Sequence, residues 1–339
     1  MKKKIFITGG TGYIGSHTTV ELISKGYNVV IVDDLSNSNI GVLDGIEKIT
    51  GVRPQFEQFD LCDFAKLKNF MSRHTDISAT IHFAASKAVG ESVNNPLKYY
   101  RNNIHSLTNL LILQVEQDIR NFVFSSSCTV YGQPETLPVT EDAPVQVANS
   151  PYGNTKQIAE EILADTTRAH GNLKVIALRY FNPIGAHPSG HIGELPNGVP
   201  SNLVPFITQT AAGMRTALSV YGNDYNTPDG SCIRDYINVV DLAQAHAIAI
   251  ERLLEDKNKS SFEVFNIGTG QGVSVLELIR VFEKTNRLKL TYEIVDRRAG
   301  DIEQVWADTS FANEVLGWKA QKTLEETLQS AWNWQQKIS

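Results

Sequence analysis

Short, continuously apolar runs alternate along this chain with longer segments of helical periodicity. Residues 4–8 (Lys-Ile-Phe-Ile-Thr) are too few for a stable helix and apolar on both faces, so they read as a buried parallel strand. Gly9, Gly10, Gly12 and Gly15 follow at once, and residues 16–25 carry helical spacing that stops at Gly26, a C-cap residue. Residues 27–34 make a second apolar run ending in Asp33 and Asp34. Strand, glycine turn, helix and strand constitute a βαβ unit.

The alternation persists. Residues 55–59 and 79–83 are further strands, the first ending at Asp60 and Leu61, the second in Ala84, Ala85, Ser86 and Lys87. Residues 94–117 form one long helical pattern with Leu107, Leu110, Leu111 and Val115 on a stripe, and residues 120–124 a strand that delivers Ser125, Ser126, Ser127 and Cys128 to its carboxyl end. A helix opens at Pro151, and a strand over 173–178 closes with Arg179, Tyr180, Phe181 and Asn182. This order predicts an α/β fold of the Rossmann type, a doubly wound parallel sheet.

Beyond Asn182 the pattern changes. Residues 185–205 are rich in Gly, Pro and His with little periodicity, which predicts a loop that closes over a ligand. Helical patterns then recur from Asn202, over 238–254, 275–283, 309–316 and 324–334, with strands at 218–222 and 262–268. A smaller C-terminal α/β substrate-binding domain over 182–339 is expected to follow a first domain over 1–181, with the 238–254 helix packing back onto the first.

Composition narrows the class. Of 339 residues 42% are apolar and 20% charged, ordinary for a globular protein. The net charge of −6 offers no general attraction to nucleic acid or anionic lipid. No stretch is long enough to span a bilayer, and the apolar run after Lys2-Lys3-Lys4 is far too short for a secretory leader. The three cysteines, Cys62, Cys128 and Cys232, are widely spaced and suggest neither a disulfide framework nor a zinc site. A cytoplasmic protein is the expectation.

The first turn carries chemistry. Gly9 permits the tight turn, Gly12 lets the backbone approach a pyrophosphate, and Gly15 lets the helix pack on the strand; the helix N-terminus supplies N–H groups and partial positive charge. Asp33, some twenty residues on, is placed to accept from adenosine ribose hydroxyls and to repel a 2′-phosphate, which favours NAD over NADP. His82, inside an apolar run, reads as a hydrogen-bonded core histidine.

A second constellation opens at Pro151, which suits a first helical position with Ser150 as cap. Tyr152 and Lys156 share a helix face about 5–6 Å apart at Cβ. A free phenol titrates near ~10, and a neighbouring ammonium is expected to lower that value, making the pair a proton-transfer device. Ser127, arriving on the adjacent strand, is placed to hydrogen-bond both a substrate hydroxyl and the phenol. In the C-terminal part Arg234 and Arg298 suggest an anionic ligand, the bland alternative being surface ion pairs.

Together the motifs Thr8–Gly9–Gly10–Thr11–Gly12–Tyr13–Ile14–Gly15, Asp33–Asp34–Leu35–Ser36–Asn37–Ser38, Ser127 with Tyr152 and Lys156, and Arg179–Tyr180–Phe181–Asn182 resemble the extended short-chain dehydrogenase/reductase family. The closer resemblance, through Arg234–Asp235–Tyr236, Arg297–Arg298–Ala299–Gly300–Asp301 and Trp306–Ala307–Asp308, is to its UDP-galactose 4-epimerases and covers essentially the whole length. It implies a tightly held NAD that is not consumed, and a UDP-sugar oxidised at C4, turned over in the site and reduced on its other face. Tyr152 is then the base on the 4-hydroxyl, Lys156 lowers its pKa and holds the nicotinamide ribose, and Ser127 bridges the 4-oxygen. Implied cofactor contacts are Gly9, Gly12, Tyr13, Ile14, Gly15, Asp33, Asn37, Ser38, Asp60, Leu61, Phe83, Ala84, Ala85, Lys87, Asn102 and Tyr180, besides the catalytic three. Implied substrate contacts are Lys87, Ser127, Tyr152, Phe181, Asn182, Asn202, Leu203, Ser219, Tyr221, Arg234, Arg298, Asp301 and Val305. Some epimerases carry a tyrosine where Val305 stands; the smaller side chain leaves room for N-acetylated UDP-sugars.

Three other readings share parts of this pattern. A sugar-nucleotide 4,6-dehydratase needs a carboxylate after the Ser127 position, where Cys128 and Thr129 stand. A reductase with a cysteine beside that serine uses NADPH, against Asp33, and Cys128 reads instead as a buried small residue. A catalytically silent NAD sensor typically loses the tyrosine or lysine, and both are present. The long helices at 94–117 and 151–170 are expected to form a four-helix interface in a homodimer, the alternative being a monomer with that sheet face simply covered.

Overall fold

Ile5 and Ile7 of β1 (Lys4–Thr8) point to one side of a sheet and Phe6 to the other, and all three are fully buried. The same alternation runs through β2 (Asn28–Asp33), where Val29 and Ile31 face one layer and Val30 and Val32 the opposite one. In the computed structural model, which describes residues 2–298 and 301–339, a sheet buried on both faces results. The remaining strands in this region are β3 (Gln55–Gln58), β4 (Ile77–His82), β5 (Asn121–Ser125) and β6 (Lys174–Tyr180). With Phe262–Ile267 they form a seven-stranded parallel sheet, ordered Phe262–Ile267, β6, β5, β4, β1, β2, β3. The doubly wound expectation holds.

Helices cover both faces. On one side α1 (Tyr13–Ser24) and α2 (Val42–Thr50) contribute Val20, Leu22, Leu43 and Ile46. On the other side α3 (Phe64–Arg73) contributes Leu67, Phe70 and Met71. Each such side chain is worth about 1.5–3 kcal/mol when removed from water. Neither α2 nor α3 is among the elements expected from the sequence, although Asp63 caps α3 by accepting from the Lys66 amide.

The long helix expected over 94–117 is broken. It comprises α4 (Val89–Asn94), α5 (Pro96–Tyr99), a π-helical turn over Tyr100–Ile104, and α6 (His105–Glu116). Pro96 ends the first segment because it has no amide hydrogen and forces Asn95 out of the helical region, at φ −138° and ψ 62°. The helix that follows, α7 (Pro151–Ala169), packs Ala159 and Leu163 against the same face of the sheet as α6.

The strands beyond β6 are short: β7 (Asn182–Ile184), β8 (Leu218–Tyr221), β9 (Ile233–Arg234) and β10 (Tyr236–Asn238). β7 pairs with β10, β8 with Tyr292–Val295, and β9 with both Val273–Ser274 and Gln304–Val305. Among them lie α8 (Leu203–Ala211), α9 (Val239–Leu254), α10 (Val275–Asn286) and α11 (Leu324–Ile338). α9 packs with α1 on the sheet through Leu242, Ala245, Ala249 and Ile250, whereas α8, α10 and α11 enclose a separate core around Ile207, Leu278, Phe282 and Leu328. A fourth cluster of Val130, Tyr131, Val139, Phe181, Val305 and Ala307 joins the end of β5 to this region. Among the described residues no helix is long and apolar enough to cross a membrane.

Gly15 shows how tightly the first turn is closed. A Cβ there would meet the Gly9 carbonyl oxygen at 2.3 Å and the Gly10 Cα at 2.9 Å, both backbone atoms that have nowhere to go. Gly15→Ala is expected to cost about 2–3 kcal/mol, read as a lowered urea midpoint. An unchanged midpoint would contradict this packing.

Candidate active site

The glycine turn is shaped by two different constraints. Gly9 adopts φ +70°, and a Cβ on it would meet the Ala84 amide nitrogen at 2.7 Å. Gly9 and Gly15 are therefore demanded by the protein itself. Gly12, the N-cap of α1, is different: its Cβ would meet only the Gly9 oxygen, at 3.1 Å, and otherwise points into open space. No side chain caps this helix end, and the amides of Tyr13, Ile14 and Gly15 have no helical acceptor. An open concavity with free amides suits a pyrophosphate.

Asp33 closes the second side. Its carboxylate accepts from the amides of Thr11 (3.2 Å) and Leu35 (2.9 Å) and from Ser38 Oγ (3.0 Å), while Ser38 also hydrogen-bonds Thr11 Oγ1 at 2.8 Å. It organises the turn and stays half-buried, with Asn37 exposed beside it. Asp60 is exposed and accepts from the Cys62 amide at 2.8 Å, whereas the Leu61 side chain belongs to the core and its carbonyl oxygen accepts from Asn109 Nδ2 at 3.0 Å. The residues present fit a dinucleotide.

Phe83, Ala84 and Ala85 continue from β4 as the opposing wall, all half-buried. His82 is a core histidine as expected: its Nδ1 pairs with Thr8 Oγ1 at 2.8 Å, and burial first, then the Lys156 charge, push its pKa down to about 3. The π-helical turn brings asparagines to this wall. Asn103 accepts from the Ser86 amide at 2.8 Å and donates to the Ser86 oxygen and to Thr155 Oγ1, and Asn102 donates to Ser86 Oγ at 3.3 Å. Asn103 and Thr155 thereby tie the β4 loop to α7 next to Lys156. Neither was recognised from the sequence, where a π turn leaves no pattern.

Ser150 caps α7 by accepting from the Gly153 amide at 3.1 Å, with Pro151 at the first helical position. Lys156 is only 5% exposed; its ammonium donates to the Ser125 carbonyl oxygen at 2.8 Å and lies 5.8 Å from the centre of the Tyr152 ring. Burial lowers its pKa to about 8, with Glu160, one turn further on, pulling it back up. The expectation that Lys156 depresses the Tyr152 phenol is corrected. Burial holds that phenol well above its ordinary value, neighbouring Tyr180 adds to the rise, and the Ser127 hydroxyl opposes it. In a site this dry, desolvation of a phenolate outweighs one ammonium.

A buried network that sequence reasoning missed lies beneath the strand end. Glu160 accepts from Ser126 Oγ at 2.5 Å and from Arg179 Nη2 at 2.6 Å, and Arg179 stacks 4.8 Å from the centre of the Tyr131 ring. The spacing from Lys156 to Glu160 was its only sequence signal. Tyr180 accepts from Ser125 Oγ at 3.0 Å. Cys128, expected to be buried, is half-buried, and burial of its thiol raises its pKa to about 12.

The remaining predicted residues line the ground beyond β6. Phe181 and Val305 are packed into the same small cluster, and Val305 pairs with Arg234 across two short strands. The Asn182 amide donates to the Asp235 oxygen at 2.9 Å. Arg234 Nη2 donates to the Ile302 oxygen at 2.7 Å, while the Asp235 carboxylate is fully buried and accepts from Thr269, Gly270 and Ala307. Arg298 pairs with Asp301 at 2.7 Å and lies over the Tyr221 ring at 5.5 Å. Ala299 and Gly300 of that motif lie outside the described residues. Ser219 is half-buried on β8; Asn202 occupies the N-cap position of α8 without a side-chain hydrogen bond to it, and Leu203 begins the helix. The segment expected to be a loop has no helix or strand of its own before α8, and its first half is held in place by α11. Ser330 Oγ, Trp334 Nε1 and Lys337 Nζ hydrogen-bond it at Ala186, Glu194 and Ser189.

A family model described as GDP-mannose 4,6 dehydratase matches residues 6–331. UDP-glucose 4-epimerase of Haemophilus influenzae is 47% identical over 331 residues, 98% of this chain and 97% of that protein. A crystal structure of UDP-glucose 4-epimerase from Bifidobacterium longum, in complex with NAD+ and UDP, superposes with a TM-score of 0.95 at 43% identity, covering 98% of each chain. The chain belongs to the UDP-glucose 4-epimerase family of extended short-chain dehydrogenases/reductases. Also similar is the UDP-Glc/GlcNAc 4-epimerase of Campylobacter jejuni, with a TM-score of 0.84 at 36% identity over 99% of each chain. Against the narrower dehydratase description stands the end of β5. There Ser127 is followed by Cys128 and Thr129, with no carboxylate for eliminating water.

The contrast between the glycines is testable. Gly12→Val is expected to purify with less than a tenth of the NAD of the parent and a thermal midpoint lowered by only a few degrees. A variant that retains full NAD would contradict the phosphate cradle.

Proposed function

We propose that this chain is an NAD-dependent isomerase that interconverts UDP-galactose and UDP-glucose at C4 of the hexose. The observation that carries the reading is the buried Lys156 beside Tyr152 and Ser127, at the carboxyl end of β5 and beside the cradle of the glycine turn. Bound NAD supplies the hydride acceptor and donor for C4. The protein's own residues do the rest. Tyr152 takes the proton of the 4-hydroxyl and later returns it, and Ser127 holds the 4-oxygen in line. Lys156, fixed on the Ser125 carbonyl, keeps positive charge beside the phenol as it loses its proton. Arg234, Arg298 and Asn202 anchor the UDP portion, so that the hexose is held loosely enough to present either face.

Burial lowers the Lys156 pKa to about 8 and holds the Tyr152 phenol above its ordinary value. Below about pH 8 both hold their protons; above it the pair is one proton short, whichever atom has lost it. That one-proton-short form is the one able to accept from the sugar. kcat/KM is therefore expected to climb with pH through the neutral range and level off above about 8. A flat profile across that range would contradict the assignment.

The division at residues 181/182, a homodimer built on the α6 and α7 faces and a cytoplasmic location complete the reading. Exposed Ile112 on α6 is consistent with a partner on that face. Acceptance of UDP-N-acetylhexosamines is also part of it, supported by a valine at 305. Val305→Tyr is expected to remove turnover of UDP-N-acetylglucosamine while sparing UDP-galactose; no turnover of the acetylated sugar by the parent would refute it.

Tyr152→Phe tests the base. Turnover is expected to fall about 10²–10⁴-fold with bound NAD and thermal midpoint kept, since one hydroxyl is lost from a packed ring. Retention of most of the activity would contradict the role.

A further inference from the structure

Residues 185–194 fold back on themselves: the His187 amide donates to the Ile192 oxygen at 3.1 Å, and Ala186 bridges Gly193 in antiparallel fashion. α11 clamps this hairpin. Trp334 Nε1 donates to the Glu194 backbone oxygen at 2.8 Å, and a Cβ on Gly193 would meet the Trp334 ring at 2.5 Å. Tyr13 fastens the other end by donating its phenol hydrogen to the Gly185 oxygen at 2.6 Å. The backbone of Glu194 is thus fixed between the glycine turn and the C-terminal helix.

From that fixed point its carboxylate reaches two residues on opposite walls. Asn202 Nδ2, at the cap of α8, donates to it at 2.6 Å, and the Lys87 ammonium, beyond the end of β4, lies 3.8 Å away. The Glu194 side chain is 11% exposed against 44% for Lys87. Burial raises its carboxyl pKa, so keeping a charge there is costly, and the Lys87 charge and the Asn202 amide work against that cost. A glutamine would accept the same amide hydrogen with less desolvation; what only the carboxylate adds is a counter-charge for Lys87.

We propose that Glu194 is a positioning residue for sugar-nucleotide binding, which fixes the Asn202 carboxamide and the Lys87 ammonium in their ligand-facing orientations. With one N–H of Asn202 given to Glu194, the carboxamide no longer turns freely, and its oxygen is held in one direction for a donor on the ligand. Lys87, exposed along its side chain, is drawn toward the same edge. A ligand then meets both groups already ordered, at a smaller entropic cost. The inference rests on Lys87 and Asn202 facing the UDP-sugar, as in the function proposed above.

The test is titration calorimetry of the NAD-loaded protein with UDP-galactose, on the parent, Glu194→Gln, Lys87→Met and the double variant, with kcat and KM measured alongside. Glu194→Gln is expected to weaken binding about 5–20-fold, as for loss of one charge-assisted contact, with KM moving in step and kcat changing less than about twofold. In the Lys87→Met background the same substitution is expected to add less than about twofold, because residues acting through each other are not additive. Unchanged or tighter binding by Glu194→Gln, or effects that simply multiply, would overturn the inference. A parent that binds UDP-galactose without epimerising it would instead refute the reaction and leave the binding comparison valid; a parent that does not bind it overturns both.

Discussion

Everything at the reaction centre depends on an ammonium ion held out of water. Lys156 is buried, and the cost of placing it there is offset by the Ser125 carbonyl and the negative field of Glu160. Both partners require particular strand and helix ends to meet. β5 must stop at Ser125 for its carbonyl to face α7, and α7 must begin at Pro151 for Lys156 to lie one turn inside it. The Glu160–Arg179–Ser126 network fixes that junction from below, through β6. The same burial that makes the ammonium costly also raises the Tyr152 phenol.

The second constraint is steric. A concavity for a pyrophosphate exists because Gly9 and Gly15 bring backbone onto backbone, while Gly12 leaves one side open. Asp33 closes the turn with three hydrogen bonds, so a residue expected for ribose recognition also has a structural task. The opposite wall comes from much later in the chain. Its hairpin is held by α11, so a helix near the C-terminus stabilises ground next to the first turn of the protein.

Much of the fold was legible in the sequence. The βαβ unit, the run of apolar strands and the Pro151 helix follow from local pattern, and so do the glycines, Asp33, Ser127, Tyr152 and Lys156. What escaped was what local pattern does not encode. The helix over 94–117 was read as continuous although Pro96 marked a stop, and the π turn that aims Asn102 and Asn103 at Ser86 has no periodicity of its own. α2 and α3 are short, and their apolar residues at helical spacing are not resolved by the alternation of the strands around them. Glu194 lies in a stretch with no pattern, and its partners Lys87 and Trp334 come from distant elements. The direction of the Tyr152 shift was misjudged because burial is invisible until the fold is assembled.

The central claim is a closed cycle at C4 of a UDP-hexose. Its most direct test is to purify the protein without added cofactor, supply UDP-galactose, and follow UDP-glucose together with the absorbance of reduced nicotinamide. The account predicts UDP-glucose with no net accumulation of reduced cofactor. A 4-keto-6-deoxy product, or reduced nicotinamide that builds up and stays, would contradict it.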